Sequence, residues 1–141
     1  MPFHALPTVR KYMDSNTHAL SAEDDIRVAL RRLIDEGVTG APVLNAEGRV
    51  IGKLSEFECL KLLAAGRGGE RPRGCVRDFM STKFTSVPPD MDVYFVAGMF
   101  LNDPAHRRFL VLEGDRLVGV ITRKDVLRAV LDGLEGNPLP A

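Results

Sequence analysis

The residues of this sequence best suited to chemistry lie at 122–125, where a predicted strand runs into a predicted helix. Thr122 carries a hydroxyl that suits a helix N-cap, and Asp125 follows three positions later, where a negative charge complements the helix dipole. Arg123 and Lys124 stand between them. The first turn of a helix leaves backbone N–H groups unbonded, so an anion such as a phosphate can bind there. The same residues also make an ordinary helix cap, so both roles remain open.

Composition excludes several kinds of protein. The chain has 141 residues, enough for one domain or two small ones, and 19 basic residues balance 19 acidic ones. No net field therefore favours nucleic acid or an anionic membrane. The apolar runs are too short to span a bilayer, and the first residues, MPFHALPTVRKYM, lack the apolar core of a signal peptide. We expect a cytoplasmic protein with no membrane association and no nucleic-acid partner.

Catalytic and metal-binding patterns are not found in the sequence. Cys59 and Cys75 lie 16 residues apart with no neighbouring histidine, which favours neither a zinc site nor a disulfide. No motif places a nucleophile beside a histidine, and no P-loop or G-x-G-x-x-G is present. We therefore expect no enzyme, no catalytic residue and no metal site.

An internal repeat organises the chain. When the sequence is shifted by 67 residues, apolar positions and turn residues coincide. Each copy reads as a short lead-in followed by strand, helix, strand, strand and helix. We expect a first unit at 1–66, a flexible linker at 67–75, a second unit at 76–132 and a disordered tail at 133–141. The coinciding pairs include Val9 and Val76, Met13 and Met80, Gly52 and Gly119, Ser55 and Thr122, and Glu58 and Asp125.

The helices of both copies have predicted caps and apolar faces. In the first copy, Ser21 is expected to cap the first helix, Gly37 to end it, and Ser55 to cap the second helix. Helical spacing predicts three buried faces. These are Ile26, Ala29, Leu30, Leu33 and Ile34; then Phe57, Leu60 and Leu63; and in the second copy Val93, Val96, Ala97, Phe100 and Leu101.

A second apolar stripe, of Met91, Phe95 and Met99, lies beside the last of these faces. A helix that is apolar nearly all round must be covered by something. A homodimer would bury the stripe, and so would the neighbouring copy of the same chain; the sequence leaves both open.

Three segments resemble a known family, the tandem CBS-domain (cystathionine β-synthase domain) module. They are the lead-ins VRKYM and VRDFM, the stretch GVTGAPVLNAEGRVIGKLS, and the stretch HRRFLVLEGDRLVGVITRKDVL. The resemblance covers residues 9–131. It implies an α/β fold of two β-α-β-β-α units packed through their sheets about a pseudo-two-fold axis. It also implies binding of an adenosine-containing ligand in clefts between the units, and regulation of a partner protein without catalysis.

The resemblance also implies roles for individual residues. In the family, the acid of an [ST]-x-x-[DN] element binds the ribose, which here is Asp125. Thr122 and Lys124 would lie near the phosphate, and His106 and Arg107 would sit over it. The backbone of two residues from the other copy would line the adenine, and these align with Val38 and Thr39.

The first copy departs from the family pattern at the matching positions. Ser55 is followed by Glu58, where the family prefers Asp or Asn, and Ser-x-x-Glu is itself a capping box. The extra methylene of Glu58 also carries its carboxylate toward the ribose position. We expect one competent site at Asp125 and a weak or empty second site at Ser55 and Glu58.

These observations lead to two functional hypotheses. The first is a homodimeric regulatory module that needs no cofactor and binds AMP, ADP or ATP, with or without magnesium, to signal to an unidentified partner protein. The second is a dimerisation scaffold that binds no ligand.

Overall fold

The computed structural model describes residues 6–65 and 73–136. Each copy of the repeat contributes a one-turn lead-in helix and then a strand, a helix, two strands and a helix. The predicted α/β fold, with two β-α-β-β-α repeats, is confirmed. The elements are α1 (Val9–Tyr12), β1 (Leu20–Ser21), α2 (Ile26–Glu36), β2 (Gly40–Leu44), β3 (Val50–Ser55), α3 (Glu56–Ala65), α4 (Val76–Phe79), β4 (Ser86–Val87), α5 (Val93–Asn102), β5 (Arg108–Glu113), β6 (Arg116–Thr122) and α6 (Arg123–Leu134).

The compact units of the structure differ from the two sequence repeats. One unit combines Met1–Asn16 with Thr85–Ala141, and the other is Thr17–Phe84. We call them the Asp125 unit and the Glu58 unit, after the acid that each contains. The lead-in α1 opens the first repeat in sequence but belongs to the Asp125 unit, and α4 opens the second repeat but belongs to the Glu58 unit. The ranges 1–66 and 76–132 therefore describe repeats of sequence, and each compact unit takes its lead-in from the other repeat.

The Asp125 unit is built on a three-stranded sheet in the order β4-β5-β6. β4 runs parallel to β5, and β5 pairs antiparallel with β6, with Phe109 opposite Ile121. Helices α5 and α6 contact one another and supply apolar side chains to the core of this unit. That core consists of Val9, Tyr12, Val87, Val93, Val96, Phe100, Phe109, Val111, Ile121, Val126 and Ala129.

The Glu58 unit repeats this plan with the sheet order β1-β2-β3. β1 is parallel to β2, and β2 is antiparallel to β3, with Val43 opposite Gly52. The apolar core of this unit consists of Leu20, Ala22, Ile26, Ala29, Leu33, Ala41, Val43, Leu54, Leu62 and Val76.

Backbone hydrogen bonds hold each lead-in in its unit. In the Asp125 unit, the Val9 N–H donates to the Met91 carbonyl at 2.8 Å, and Asp14 pairs with Val120. In the Glu58 unit, Val76 donates to the Asp24 carbonyl at 2.9 Å, and a second pairing joins residues 53 and 81. A lead-in is therefore an extra edge segment of its unit, and it satisfies backbone groups that would otherwise need water.

The first helix of the Glu58 unit begins later than its sequence predicts, so the expected Ser21 cap is wrong. The N-cap is Asp25, whose carboxylate accepts the N–H of Arg27 at 2.8 Å. Residues 22–24 form a turn before the helix, in which the Asp24 N–H donates to the Ser21 carbonyl at 3.0 Å, and Asp25 pairs with Cys75 through an isolated β-bridge. The predicted end at Gly37 is confirmed, because this residue adopts the left-handed conformation with φ of 66°.

Part of each predicted apolar face is exposed. Ile34, Phe57, Leu60 and Leu101 lie on the surface, whereas the other predicted core residues of α2 and α5 are buried or half-buried. In α3 the inward face is formed by Glu58 and Leu62, one turn apart. The side chain of Leu63 lies outside the described part of the structure.

The ends of the predicted linker and tail are ordered where the structure describes them. The Gly74 carbonyl accepts the N–H of Ile26 at 3.0 Å, and α6 continues to Leu134. Residues 67–72 and 137–141 lie outside the described residues. None of the helices within 6–65 and 73–136 has the length and apolar character needed to cross a membrane.

Candidate ligand site

Three polar side chains lie at one end of the sheet in the Asp125 unit because of the directions in which its strands run. Thr85 immediately precedes β4, His106 comes just before β5, and Thr122 ends β6. Because β4 and β5 are parallel and β6 runs against them, the first residues of β4 and β5 lie at the same end as the last residue of β6. The register agrees, since Thr122 pairs with Arg108. This end of the sheet is the candidate site.

Thr122 and Asp125 form a capping box at the start of α6. The Asp125 Oδ2 accepts hydrogen bonds from the Thr122 backbone N–H at 2.9 Å and from its hydroxyl at 3.0 Å. The Asp125 N–H lies 3.3 Å from the same hydroxyl oxygen. The side chain of Asp125 is 14% exposed. The predicted cap is present, and it fixes the carboxylate at the end of the sheet.

The second oxygen of this carboxylate is held from the next turn of the helix. Arg128 donates from Nη2 to Asp125 Oδ1 at 2.9 Å and from the same nitrogen to the Tyr12 carbonyl at 2.9 Å. Its guanidinium carbon also lies 5.9 Å from the centre of the Tyr12 ring. Arg128 thus links the acid of the site to the lead-in helix.

His106 lies between two polar neighbours. Its Nδ1 is 2.7 Å from Asp103 Oδ2, and its Nε2 is 3.4 Å from the Thr85 hydroxyl. The ring also packs against Phe109, with centroids 5.7 Å apart. His106 is therefore placed at the same end of the sheet as Thr122, in an orientation that its neighbours fix.

The cations predicted around this helix start do not all face it. Arg123 donates from Nη2 to the carbonyls of Pro104 and His106, the latter at 3.0 Å, so it fastens the loop that carries the histidine. Lys124 and Arg107 are exposed. Lys124 and Arg107 therefore remain available to bind an anion, whereas the Nη2 group of Arg123 is used by the loop.

The matching region of the Glu58 unit differs in charge and burial. Glu58 is 7% exposed, and its Oε2 accepts the Ser55 N–H at 2.9 Å as well as the Ser55 hydroxyl. Glu56 and Phe57 occupy the positions of Arg123 and Lys124. At this helix start a carboxylate and a neutral ring replace two cations, and this change of charge disfavours a phosphate.

Val38 and Thr39, predicted to line an adenine, also lie in the Glu58 unit. Val38 is half-buried against the core of this unit, and Thr39 is exposed. The Thr39 carbonyl accepts the N–H of Glu56 at 2.9 Å. These residues therefore flank the start of α3 in the same way that His106 flanks the start of α6.

Sequence reasoning missed three members of the site. Arg128 follows Asp125 by three residues and Asp103 precedes His106 by three, spacings that local charge patterning can detect. Thr85 carries no such signal, because it meets His106 through the parallel pairing of β4 and β5. Within 6–65 and 73–136, no group of three or more His, Cys, Asp or Glu side chains is placed to hold a metal ion.

Comparison with known proteins gives the family of the repeats. The family model of the CBS domain matches residues 9–65 and again residues 76–132. A-adding tRNA nucleotidyltransferase of Aquifex aeolicus is 32% identical over 127 residues, which are 90% of this chain and 15% of that protein. The chain thus spans less than a sixth of the length of this relative.

Two solved structures share the fold over nearly the whole chain. CBSX2, a CBS-pair protein of Arabidopsis thaliana, solved in complex with AMP, is 25% identical with a TM-score of 0.78, covering 91% of this chain and 98% of the other. The CBS domain pair of protein MJ0100, in complex with 5-methylthioadenosine and S-adenosyl-L-methionine, is 18% identical with a TM-score of 0.76, covering 92% of this chain and 99% of the other.

Proposed function

Because this chain belongs to the CBS-domain family, we propose that it is a non-catalytic regulatory protein that binds AMP, ADP or ATP and signals to a partner protein. The observation that carries the proposal is the Asp125 carboxylate, fixed by Thr122 at the end of a sheet that also presents His106. The AMP complex of CBSX2, which resembles this chain over 91% of its length, supports an adenosine-containing ligand.

Each polar group has a proposed contact with the ligand. Asp125 accepts hydrogen bonds from the ribose hydroxyls, since a carboxylate is an acceptor with four lone-pair positions. Thr122 and Lys124 lie at the start of α6, where backbone N–H groups and the helix dipole favour a phosphate. His106 and the exposed Arg107 approach the phosphate from the loop before β5.

The second site, at Ser55 and Glu58, is proposed to bind nucleotide weakly or not at all. The Glu58 carboxylate is buried by its own capping interaction, and Glu56 adds a second negative charge at the helix start. A phosphate approaching this helix start meets the Glu56 carboxylate at the position that Arg123 has in the other repeat, so binding there is disfavoured. One nucleotide per chain is therefore the expected stoichiometry.

The test is thermal unfolding of the purified protein with AMP, ADP, ATP and S-adenosylmethionine, each with and without magnesium. A ligand at 100 times its Kd stabilises the native state by about 2.7 kcal/mol, which raises Tm by several degrees. Asp125→Ala should abolish this shift while costing about 1 kcal/mol of stability through the lost cap. Glu58→Ala is the matched control, since it removes the equivalent capping acid and should leave the shift intact.

A ligand-free dimerisation scaffold is the alternative function, and exposed apolar side chains favour it. They recur at equivalent positions of the two repeats, namely Val28 and Phe95, Ile34 and Leu101, and Leu60 and Leu127. Such a repeated surface suits a homodimer, which is compatible with either function. If no adenosine compound raises Tm in the wild-type protein, the scaffold becomes the better account.

A further inference from the structure

We propose that Arg128 competes with the ribose hydroxyls for Asp125, so that nucleotide binding releases Arg128 from this carboxylate. The inference rests on the proposed function, because it concerns the same site. In this role Arg128 weakens the binding of the ribose hydroxyls, and so it sets how strongly the site prefers a ribose with both hydroxyls over one without them.

The argument starts from the acceptor capacity of the carboxylate. Each oxygen of an ionised Asp offers two lone pairs. Oδ2 already accepts the N–H and the hydroxyl of Thr122, so its capacity is used. Oδ1 accepts Nη2 of Arg128 and has one lone pair left. Two ribose hydroxyls therefore cannot both bind Asp125 while Arg128 and Thr122 remain in place.

Of the two residues that occupy Asp125, Arg128 is the one that can leave. The Thr122 bonds belong to the capping box of α6, so breaking them would leave backbone N–H groups of the first turn unpaired. The Arg128 side chain is 58% exposed, and its ion pair with Asp125 lies at the surface, where such pairs are weak. On release, its guanidinium still has the Tyr12 carbonyl and ring as partners and can add water.

The same contact ties the site to the lead-in. One nitrogen of Arg128 bridges Asp125 Oδ1 and the Tyr12 carbonyl, so a ribose hydroxyl that displaces Arg128 from Oδ1 also breaks this bridge. The equivalent residue of the other repeat is Lys61, whose ammonium lies 4.7 Å from the centre of the Phe57 ring. Lys61 therefore supplies a natural control, a cation at the same repeat position with a different partner.

The experiment measures the affinity of adenosine and of 2′,3′-dideoxyadenosine by calorimetry. Both nucleosides lack phosphate, so the loss of a cation does not itself weaken their binding. We expect Arg128→Ala to raise the ratio of adenosine affinity to dideoxyadenosine affinity by two- to fivefold. In wild type the ribose hydroxyls must first break the ion pair between Arg128 and Asp125, and a surface ion pair contributes a free energy of this size. Arg128→Lys should fall between wild type and Arg128→Ala, and Lys61→Ala should match wild type.

The outcomes separate this inference from the proposed function. If wild type prefers adenosine but Arg128→Ala leaves the preference unchanged or lowers it, Arg128 does not compete with the ribose, and the nucleotide site stands. If AMP, ADP and ATP leave Tm unchanged and neither wild type nor Arg128→Ala binds either nucleoside, the proposed function fails and the inference with it. Arg128→Lys keeps the charge and the stem, so it reports on competition even if the alanine variant is poorly folded.

Discussion

A Cβ on Gly119 would stand 2.6 Å from the sulfur of Met13, so the lead-in packs directly on the backbone of β6. The Glu58 unit repeats this relationship: a Cβ on Gly52 would stand 2.7 Å from the Met80 sulfur. Each lead-in thus packs against a glycine in the last strand of its unit. The coincidence of Gly52 with Gly119 under the 67-residue shift has this physical cause.

Replacing these glycines should test the packing of the lead-ins. Gly52→Ala should cost about 2 to 3 kcal/mol of unfolding free energy, because its Cβ would also meet the Ser81 carbonyl oxygen at 2.7 Å, and backbone cannot yield easily. Gly119→Ala should cost less, about 1 to 2 kcal/mol, since the closest atom is the movable end of Met13 and the Asp14 carbonyl lies at 3.0 Å. Denaturant unfolding measures both.

Gly98 in α5 supplies the control for this pair. A Cβ there would meet nothing within 4 Å, so Gly98→Ala should be neutral or stabilise the helix by up to about 1 kcal/mol. Equal losses for all three variants would show that the glycines matter for some reason other than the lead-in contact.

Tyr12 should make the stability of the Asp125 unit depend on pH in the alkaline range. Burial, reinforced by the 2.7 Å hydrogen bond from its hydroxyl to Asp132, raises the pKa of Tyr12 to about 12. Since the folded pKa lies above the unfolded one, this stabilisation is complete below about pH 10 and disappears as pH rises to about 12.

The matched variant is Tyr12→Phe, which keeps the ring and removes the hydroxyl. It should cost about 1 kcal/mol near neutral pH, the size of one hydrogen bond. The difference from wild type in denaturant unfolding should stay constant up to about pH 9 and shrink between about pH 10 and 12. Two parallel stability curves across that range would contradict the assigned role of the hydroxyl.

The sequence predicted what depends on neighbours along the chain. The Thr122 and Asp125 cap, the end of α2 at Gly37 and the two consecutive strands of each copy follow from local spacing and turn chemistry, and the structure contains them. Contacts set by tertiary pairing were missed. Thr85 reaches His106 through the parallel pairing of β4 with β5, which local spacing does not encode.

Two errors in the helices have the same origin. Asp25, and not Ser21, caps α2, because residues 22–24 form a separate turn and Asp25 pairs with Cys75 of the lead-in segment that follows in sequence. Phe57 and Leu60 were expected inside, but the capping interaction of Glu58 turns the opposite face of α3 inward. In both cases the hydrophobic periodicity of the sequence does not reveal the contact that determines where the helix begins or which of its faces is buried.

The cap of α2 should be sensitive to acid. The N–H of Arg27 holds the pKa of Asp25 below its ordinary value, so the charged carboxylate stabilises the folded state above that value and loses this effect as pH falls. Asp25→Ala should lower Tm at pH 7, and the difference from wild type should shrink below about pH 4. Ser21→Ala should lower Tm less. If Ser21→Ala lowered Tm more than Asp25→Ala, Ser21 would be the functional cap, as the sequence predicted.

Phe95 should control self-association. It is 64% exposed on α5, whereas its stripe neighbours Met91 and Met99 are half-buried against the core of the Asp125 unit. Exposed apolar residues at the same positions of both repeats give the chain a repeated surface, and a closed two-fold dimer can bury such a surface against its own copy. We expect wild type to sediment as a dimer, and Phe95→Glu to shift toward monomer because a buried carboxylate would lack a partner.

Phe95→Leu keeps an apolar side chain and should remain dimeric, which separates burial of the surface from any specific role of the ring. Far-UV circular dichroism should be unchanged in both variants, since Phe95 lies outside the core. If wild type and Phe95→Glu both sedimented as monomers, the predicted dimer would be wrong. In that case the exposed side chains of α5 would have to be covered by the regulated partner, because an apolar surface repeated in both copies of the chain is costly to leave in water.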